Sequence, residues 1–267
     1  MKKILCPTDF SDAAQNGIAY AAKLARVING ELTLFHVQSL LEVASAATHS
    51  LEAITRQLES ESEEIDRTFH VPCDVMVQSS FRKFSSIIHD VSDQYDLIIM
   101  GSNGPDDIYQ FLTGTNAYNA AVNAKVPVVI VPENYVYSEI RKIVYAFDYL
   151  RERKLPHKEL ISFASVLKSD ITVLQIMEEA QSKGADEDLR ELQLIAENLY
   201  SGEVALKFDT LRSSEIPQSI NSYVSKNQPD MLALCSVHMN VFQRIFHKSV
   251  IKNLTASSDI PLFIFHA

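Results

Sequence analysis

Three glycines and a threonine form the pattern in this sequence that is best suited to chemistry. Gly101, Gly104, Gly114 and Thr115 give the spacing G-x2-G-x9-G-[ST] within the stretch MGSNGPDDIYQFLTGT. Because glycine has no Cβ, the backbone N–H groups beside it can approach an oxyanion closely. The Thr115 hydroxyl and the start of a following helix would add donors for the same anion. The pattern indicates a phosphate-binding loop; the alternative is that the glycines only mark turns.

The segments around the glycines predict a strand before them and a helix after them. The apolar run LIIM at 97–100 leads directly into Gly101. Short continuous apolar runs of this kind are typical of strands that are buried on both faces of a parallel sheet. Helical patterns alternate with such runs at 12–28, 41–69, 84–91 and 116–123. This alternation predicts a doubly wound α/β fold with right-handed crossovers.

The sequence repeats itself once, with four matching segments in the same order. The pairs are ILCPTDF (4–10) with IVYAFDY (143–149), LTLFHV (32–37) with ITVLQI (171–176), DLIIM (96–100) with DMLAL (230–234), and VPVVIV (126–131) with IPLFIF (260–265). Self-similarity at this spacing predicts two copies of one domain. We place them at residues 1–138 and 139–267.

The glycine motif coincides with the place where such a fold binds ligands. In an open parallel sheet, ligands lie beyond the carboxyl ends of the strands, where the winding direction reverses. Asp9 follows the first predicted strand and Gly101 ends the fourth. If these strands are neighbours, Asp9 and the glycine loop line one crevice.

The composition excludes several classes of function. The chain has 267 residues and a formal net charge of −10, which argues against nucleic acid or an anionic membrane surface as the main partner. No apolar segment approaches membrane-spanning length. The apolar run in the first ten residues, MKKILCPTDF, is too short for a signal peptide. Cys6, Cys73 and Cys235 form no C-x-x-C pair, so we expect reduced thiols in a cytosolic protein.

Taken together, these segments resemble the universal stress protein family. The resemblance rests on PTDFS at 7–11, FHV at 35–37, DLIIMG at 96–101 with the glycine motif, and VPVVIVP at 126–132. It covers the whole chain as a tandem of two such domains. It implies Rossmann-like sheets with the strand order 3-2-1-4-5, and domains that pair through their last strands as an internal pseudo-dimer. Further association into a homodimer stays open.

The resemblance also implies ATP, with Mg²⁺ as a further candidate, as the ligand of the first domain. The phosphates would lie near the glycine motif and the first helical turn after it, at Gly101, Gly104, Gly114, Thr115 and Asn116. The ribose and adenine would lie near Pro7, Thr8, Asp9, Val37 and Met100. Two departures from the family pattern bear on this implication. Asp106 and Asp107 would repel a triphosphate unless Mg²⁺ lies between or the two carboxylates point outward. Ser79-Ser80 stands where a glycine is usual.

The second domain keeps the spacing of the motif but none of its glycines. Aligning Asp230 with Asp96 puts Cys235, His238 and Lys248 at the three glycine positions, and Ser249 at Thr115. Side chains there would fill the space that a phosphate needs. We therefore expect no ATP in the second domain. A basic cluster of Arg244, His247 and Lys248 could bind an anion or be solvated, and a metal site from Cys235, His238 and His247 fits no common zinc spacing.

Three functions remain open from the sequence. The first is a stress-response regulatory protein that binds ATP in its first domain only and signals to a protein partner that the sequence does not name. The second is a slow ATPase or phosphotransferase that uses Asp9 or Asp107; no lysine or arginine lies between Gly101 and Asn123, which weakens it. The third is a scaffold without nucleotide. His36 is expected to be a hydrogen-bonded structural residue, with Gln175 as its counterpart.

Overall fold

The structure is a computed structural model whose chain divides into two compact units, Met1–Tyr137 and Ser138–Ala267. It describes residues 2–40, 50–102, 115–147, 158–177, 204–213, 215–236 and 258–266, with single positions at 190, 194, 202 and 254.

The first unit is a parallel sheet with helices from successive crossovers. Its elements are β1 (Lys3–Pro7), α1 (Asp12–Ile28), β2 (Glu31–Ser39), α2 (Leu51–Phe69), β3 (Cys73–Ser80), α3 (Phe84–Val91), a 3₁₀ turn (Ser92–Gln94), β4 (Leu97–Ser102), α4 (Thr115–Asn123) and β5 (Val128–Pro132). All strand pairs are parallel, in the order β3-β2-β1-β4-β5. The predicted fold class and strand order are confirmed.

The second unit has the same strand order. Its described elements are β6 (Lys142–Phe147), α5 (Lys158–Leu167), β7 (Asp170–Met177), β8 (Leu206–Arg212), α6 (Ile216–Asn227), β9 (Met231–Ser236) and β10 (Leu262–His266). The strands pair in parallel as β8-β7-β6-β9-β10. The pairing of the two units as a pseudo-dimer stays a prediction.

The repeat extends to single hydrogen bonds. The Oδ2 atom of Asp96 accepts from the backbone N–H groups of Lys2 (2.7 Å) and Lys3 (3.0 Å) at the start of β1. Oδ2 of Asp230 accepts in the same way from the N–H groups of residues 141–142, at 2.9 and 2.8 Å. These N–H donors hold the pKa of Asp96 below its ordinary value. The two aspartates are therefore equivalent, as the sequence alignment assumed.

Helix α1 fits closely against the sheet because its inner face carries small side chains. It starts at Asp12, where the Ser11 hydroxyl accepts the N–H of Ala14 at 3.3 Å, and it ends at Ile28 before Asn29 in the left-handed region. These bounds are those that the sequence predicted. Its buried small residues are Ala13, Ala14, Gly17, Ala21, Ala22 and Ala25.

Helix α2 begins later than its sequence pattern suggested. Ser50 has extended backbone angles (φ −62°, ψ 147°), and its hydroxyl caps the helix by accepting the N–H of Ala53 at 3.2 Å. The predicted continuous helix from residue 41 is therefore wrong at Ser50, because the backbone of Ser50 is extended and its hydroxyl replaces a backbone acceptor at the start of the helix. Residues 41–49 lie outside the described part of the chain.

The three cysteines have different environments. Cys6 and Cys235 are buried and Cys73 is partly exposed; none forms a disulfide. Burial raises the pKa of the Cys6 thiol, and it raises the pKa of Cys73 to about 11. Both thiols are thus protonated at neutral pH.

No helix within the described ranges has the length and apolar character to cross a bilayer.

Candidate functional site

The candidate site lies at the carboxyl ends of β1, β2 and β4. Strands β1 and β4 are neighbours, with Ile4 beside Leu97 and Leu5 beside Ile98. From β1 the chain winds through α1 to β2 on one side, and β4 lies on the other side. The reversal of winding is therefore between β1 and β4, where an open parallel sheet leaves a crevice.

The turn after β1 is held by hydrogen bonds of its own backbone and side chains. The N–H of Thr8 donates to the carbonyl of Phe35 in β2 at 2.9 Å, and the Thr8 hydroxyl accepts the N–H of Phe10 at 3.1 Å. Thr8 is buried, and Phe10 has a φ of 66°, in the left-handed region that a bulky residue rarely adopts. A rigid, strained turn thus follows Pro7 at the edge of the crevice.

Asp9 caps helix α1 together with Ser11. Its Oδ1 atom accepts the N–H of Ser11 at 3.1 Å and the Ser11 hydroxyl at 2.5 Å, and the Ser11 oxygen accepts the N–H of Ala14. The Asp9 side chain is exposed. This arrangement orients the carboxylate at the amino end of a helix, where negative charge is favourable. Asp9 thus helps to cap α1, a role that does not depend on a ligand.

His36 connects β2 to the same turn. Its Nδ1 lies 2.9 Å from the Thr8 carbonyl oxygen. Because a carbonyl only accepts, Nδ1 carries the proton and donates, which leaves Nε2 as the acceptor of the neutral ring. The imidazole also packs on Phe10, with ring centroids 5.0 Å apart. The hydrogen bond agrees with the expected structural role, whereas the ring contact was not foreseen.

Gly101 is a glycine because a helix backbone lies directly against it. A Cβ built on Gly101 would overlap the carbonyl oxygen of Ala13, and a Cβ on Gly17 would lie 2.6 Å from the Gly101 nitrogen. Gly101 does not have a positive φ. Close packing of α1 on β4 therefore requires this residue whether or not a phosphate binds. The same packing fixes the position of Gly101, which is the first residue of the glycine motif.

The remaining motif residues are placed in part. Gly104, Gly114 and the acidic pair at 106–107 lie outside the described residues. Thr115 begins α4 and Asn116 lies in its first turn. Helix α4 precedes β5, so in a parallel crossover its amino end lies at the carboxyl edge of the sheet. The N–H groups of its first turn and its positive dipole end then lie on the same side as the turn at 8–11.

Val37 and Met100 lie on the strands that flank β1. Val37 is near the end of β2 and is partly exposed, whereas Met100 in β4 is 5% exposed and followed by Gly101. All described candidates of the first unit therefore lie at one edge of one sheet. They come from three adjacent strands and two helix starts.

The second unit differs at each equivalent position that the structure describes. Phe147 replaces Thr8, Gln175 replaces His36 and Cys235 replaces Gly101, and each of the three is at most 1% exposed. A Cβ at Cys235 rules out the helix–strand approach found at Gly101. The replacement of Thr8 by Phe147 was overlooked in the sequence, although the alignment through Asp9 and Asp148 contained it. Asp148, Arg244, His247 and the residues at 238, 248 and 249 lie outside the described part.

Aromatic rings pack against one another in the core of the second unit. Tyr145 lies 5.8 Å from Phe147 and 5.5 Å from Phe265, and Phe263 stacks on Phe163 at 4.5 Å. These rings contribute large apolar contact areas in the interior of the unit. Among the described residues, no group of three or more His, Cys, Asp or Glu side chains could hold a metal ion.

Comparisons with solved structures show the fold. A universal stress protein from Archaeoglobus fulgidus DSM 4304 aligns over 99% of this chain and 98% of its own, with a TM-score of 0.73 and 17% identity. A functionally unknown protein from Pseudomonas aeruginosa PAO1 aligns over 100% and 92%, with a TM-score of 0.62 and 14% identity. The cytoplasmic domain of a prokaryotic cation chloride cotransporter aligns over 98% and 94%, with a TM-score of 0.51 and 11% identity.

These neighbours differ in kind, so the shared fold alone does not identify a function. Among curated proteins, the sequence finds no match. Residues 1–132, which span nearly all of the first unit and every candidate site residue, match the universal stress protein family. Through these residues the chain belongs to the universal stress protein family.

Proposed function

We propose that the first unit binds ATP at the carboxyl ends of β1, β2 and β4, and that the second unit does not. The observation that carries the proposal is the contrast between the two sheets. The first has a polar turn, a histidine and the first glycine of the motif at this edge, and the second has Phe147, Gln175 and Cys235. Backbone N–H groups beside a residue without Cβ suit an oxyanion, and buried aromatic side chains do not.

Each part of the nucleotide has residues suited to it. Gly101, Gly104, Gly114, Thr115 and Asn116 would surround the phosphates at the amino end of α4, where the helix dipole attracts anions. Asp9 has an exposed carboxylate that can accept ribose hydroxyl groups. Base and ribose would contact Pro7, Thr8, Val37 and Met100. Mg²⁺ could offset the charge of Asp106 and Asp107 beside the triphosphate.

The role that fits this site is regulation and not rapid turnover. Fast phosphoryl transfer needs a cation clamp on the transferred phosphate. The stretch from Gly101 to Asn123 contains no lysine or arginine. A bound ligand would instead stabilise the ordered state of the unit by mass action, and a partner protein would read that state.

Calorimetry and thermal melting with Mg-ATP test the proposal. The wild type should bind saturably and melt at higher temperature with ligand. Gly114→Lys copies the residue of the second unit and should weaken binding at least about tenfold, which is about 1.4 kcal/mol. Ser225→Lys adds the same charge on the exposed face of α6 and should bind as the wild type does.

Two results would contradict the proposal. The first is the absence of both heat and thermal stabilisation of the wild type at about 1 mM Mg-ATP, at which a ligand of micromolar Kd stabilises by several kcal/mol. The second is equal binding by the wild type and Gly114→Lys, which would place the nucleotide elsewhere. Hydrolysis of ATP that is lost in Asp9→Ala but retained in Ser225→Lys would favour the alternative function, a slow ATPase.

A further inference from the structure

A second concave surface opens at the opposite edge of the first sheet. It lies at the amino ends of β1 and β2, where α1 and α2 end, and has a volume of about 740 Å³. Lys2, Lys3, Arg26 and His70 contribute its basic side chains. This volume is within the range of small-molecule sites. We refer to it as the amino-end groove.

The basic side chains of the amino-end groove are largely without acidic partners. Lys3 pairs with Glu31 at 3.5 Å across the surface. Among the described residues, Lys2, Arg26 and His70 form no ion pair. The chain as a whole has a formal net charge of −10. Unpaired positive charge is therefore concentrated in a groove of an otherwise acidic protein, which attracts anions locally.

The groove also has an apolar wall. Phe69 is partly exposed and Pro72 is exposed, and both line the groove close to His70. An aromatic or aliphatic group could contact this wall while an anionic group meets the basic rim. Such a mixed lining suits a ligand with one flat apolar part and one charged part.

The equivalent edge of the second unit is arranged differently. Arg141, at the position of Lys2, donates from Nε to Glu139 at 2.9 Å. Ser165 replaces Arg26: the bonds from Lys168 N to Ser165 O and from Asn29 N to Arg26 O are equivalent. Among the described residues, Lys142 and Lys168 are also basic at this edge and form no ion pair, but they stand at the positions of Lys3 and Asn29. Cations without an ion pair at the positions of Lys2 and Arg26 are therefore specific to the first unit.

Helix ends alone do not explain these cations. A positive side chain near the last turn of a helix stabilises its free carbonyl groups. Arg26 could serve α1 in this way, and Arg67 serves the last turn of α2. Lys2, however, precedes a strand, and its ammonium group has no helix end of its own to stabilise. Arg26 lines the groove and Arg67 does not. Removing Arg26 should therefore weaken the binding of an anion in the groove more than removing Arg67.

We propose that the amino-end groove binds a small organic phosphate monoester that carries a flat apolar group. Lys2 and Arg26 would bind the phosphate, because their N–H groups make charge-assisted hydrogen bonds to its oxygens. The apolar group would lie against Phe69 and Pro72. This site is separate from the proposed ATP site, at the other edge of the sheet.

Titration with 1-naphthyl phosphate, followed by NMR of backbone amides, tests the site in the full chain. The amide resonances of Gly30 and Val71 should shift saturably in the wild type. Arg26→Ser copies the second unit and should weaken binding at least about fivefold, equal to about 1 kcal/mol. The matched variant Arg67→Ser removes a charge from the end of α2 outside the groove and should change binding less than about twofold.

Three outcomes would overturn the proposal. One is the absence of saturable shifts at Gly30 and Val71 in the wild type. Another is equal weakening by Arg26→Ser and Arg67→Ser, which would indicate unspecific attraction by charge. The third is equal binding of uncharged 1-naphthol, which would leave no role for the phosphate. Shifts at Thr8 and Gly101 would report the ATP site instead, so the two proposals fail separately.

Discussion

At the scale of single residues, the turn between β1 and α1 depends on His36. The imidazole donates to the Thr8 carbonyl at 2.9 Å and packs on Phe10, whose backbone is in the left-handed region. A strained residue persists only when its surroundings fix it. We therefore regard His36 as a positioning residue for the proposed ATP site.

Substitution of His36 should destabilise the turn and lower the affinity for ATP. In His36→Phe the ring remains but the Thr8 carbonyl loses its donor, which costs about 1 kcal/mol of the free energy of unfolding. We expect ATP affinity to fall several-fold, because Thr8 and Asp9 are no longer held in place. Denaturant unfolding and calorimetry measure the two effects.

A second histidine provides a matched control. His89 donates from Nδ1 to the carbonyl of Asn123 at 2.7 Å and lies on α3, remote from the turn. His89→Phe should lower stability without a change in ATP affinity. If His36→Phe is less stable but binds ATP as the wild type does, His36 does not position the site.

At the scale of elements, the contact between α1 and β4 requires two glycines. Gly17 and Gly101 bring the backbones together so closely that a Cβ on Gly101 would overlap the carbonyl of Ala13. Protein interiors do not yield easily to an added methyl group, because they are already close-packed. The contact thus accounts for one glycine of the motif by packing alone.

Gly101→Ala should destabilise the protein by about 3 kcal/mol, in the upper range for overpacking of a core. Chemical denaturation measures the change. Cys235→Ala, at the equivalent position of the second unit, retains a Cβ and should cost only about 1 kcal/mol for the lost sulfur. A Gly101→Ala variant as stable as the wild type would show that the helix moves away freely.

At the scale of the whole molecule, α1 connects the proposed site to the segment that leads into the second unit. The helix starts at the turn that contains Asp9. Further along α1, the Nδ2 atom of Asn16 donates to the carbonyls of Pro132 at 2.8 Å and Tyr135 at 3.0 Å. The Tyr20 ring also packs on Tyr135 at 6.2 Å. One helix therefore connects the turn at the proposed site to this segment.

Binding of ATP should slow hydrogen exchange in residues 133–137 if α1 transmits order in this way. Asn16→Ala should remove this slowing while the variant still binds ATP, because Asn16 does not lie at the site. Mass spectrometry of exchanged peptides measures the effect. This prediction rests on the proposed ATP binding.

Gln15→Ala is the control for the same helix. Gln15 donates to Glu61 of α2 at 3.0 Å and makes no contact with residues 133–137 in the described hydrogen bonds. It should leave the ATP-dependent slowing intact. If both variants behave alike, or if ATP has no effect on these residues in the wild type, the helix carries no signal to this segment.

The amino-acid sequence by itself determined the elements and their repetition. Apolar runs, helical spacing and the match of Asp96 with Asp230 are all local patterns, so each can be recognised without knowing what lies nearby in space. They were sufficient for the α/β class and for the order of strands and helices. The resemblance supplied the strand order 3-2-1-4-5 that the structure has. Gly104 and Gly114 remain predictions from the motif.

Only the tertiary structure decided which distant residues meet. It joined Gly17 to Gly101, His36 to Thr8 and Asn16 to the segment after β5, and it brought Lys2 and Arg26 together at the amino-end groove. The partners in each pair are separated by many residues. Their contact depends on sheet register and helix packing, which the spacing of residues along the chain does not contain.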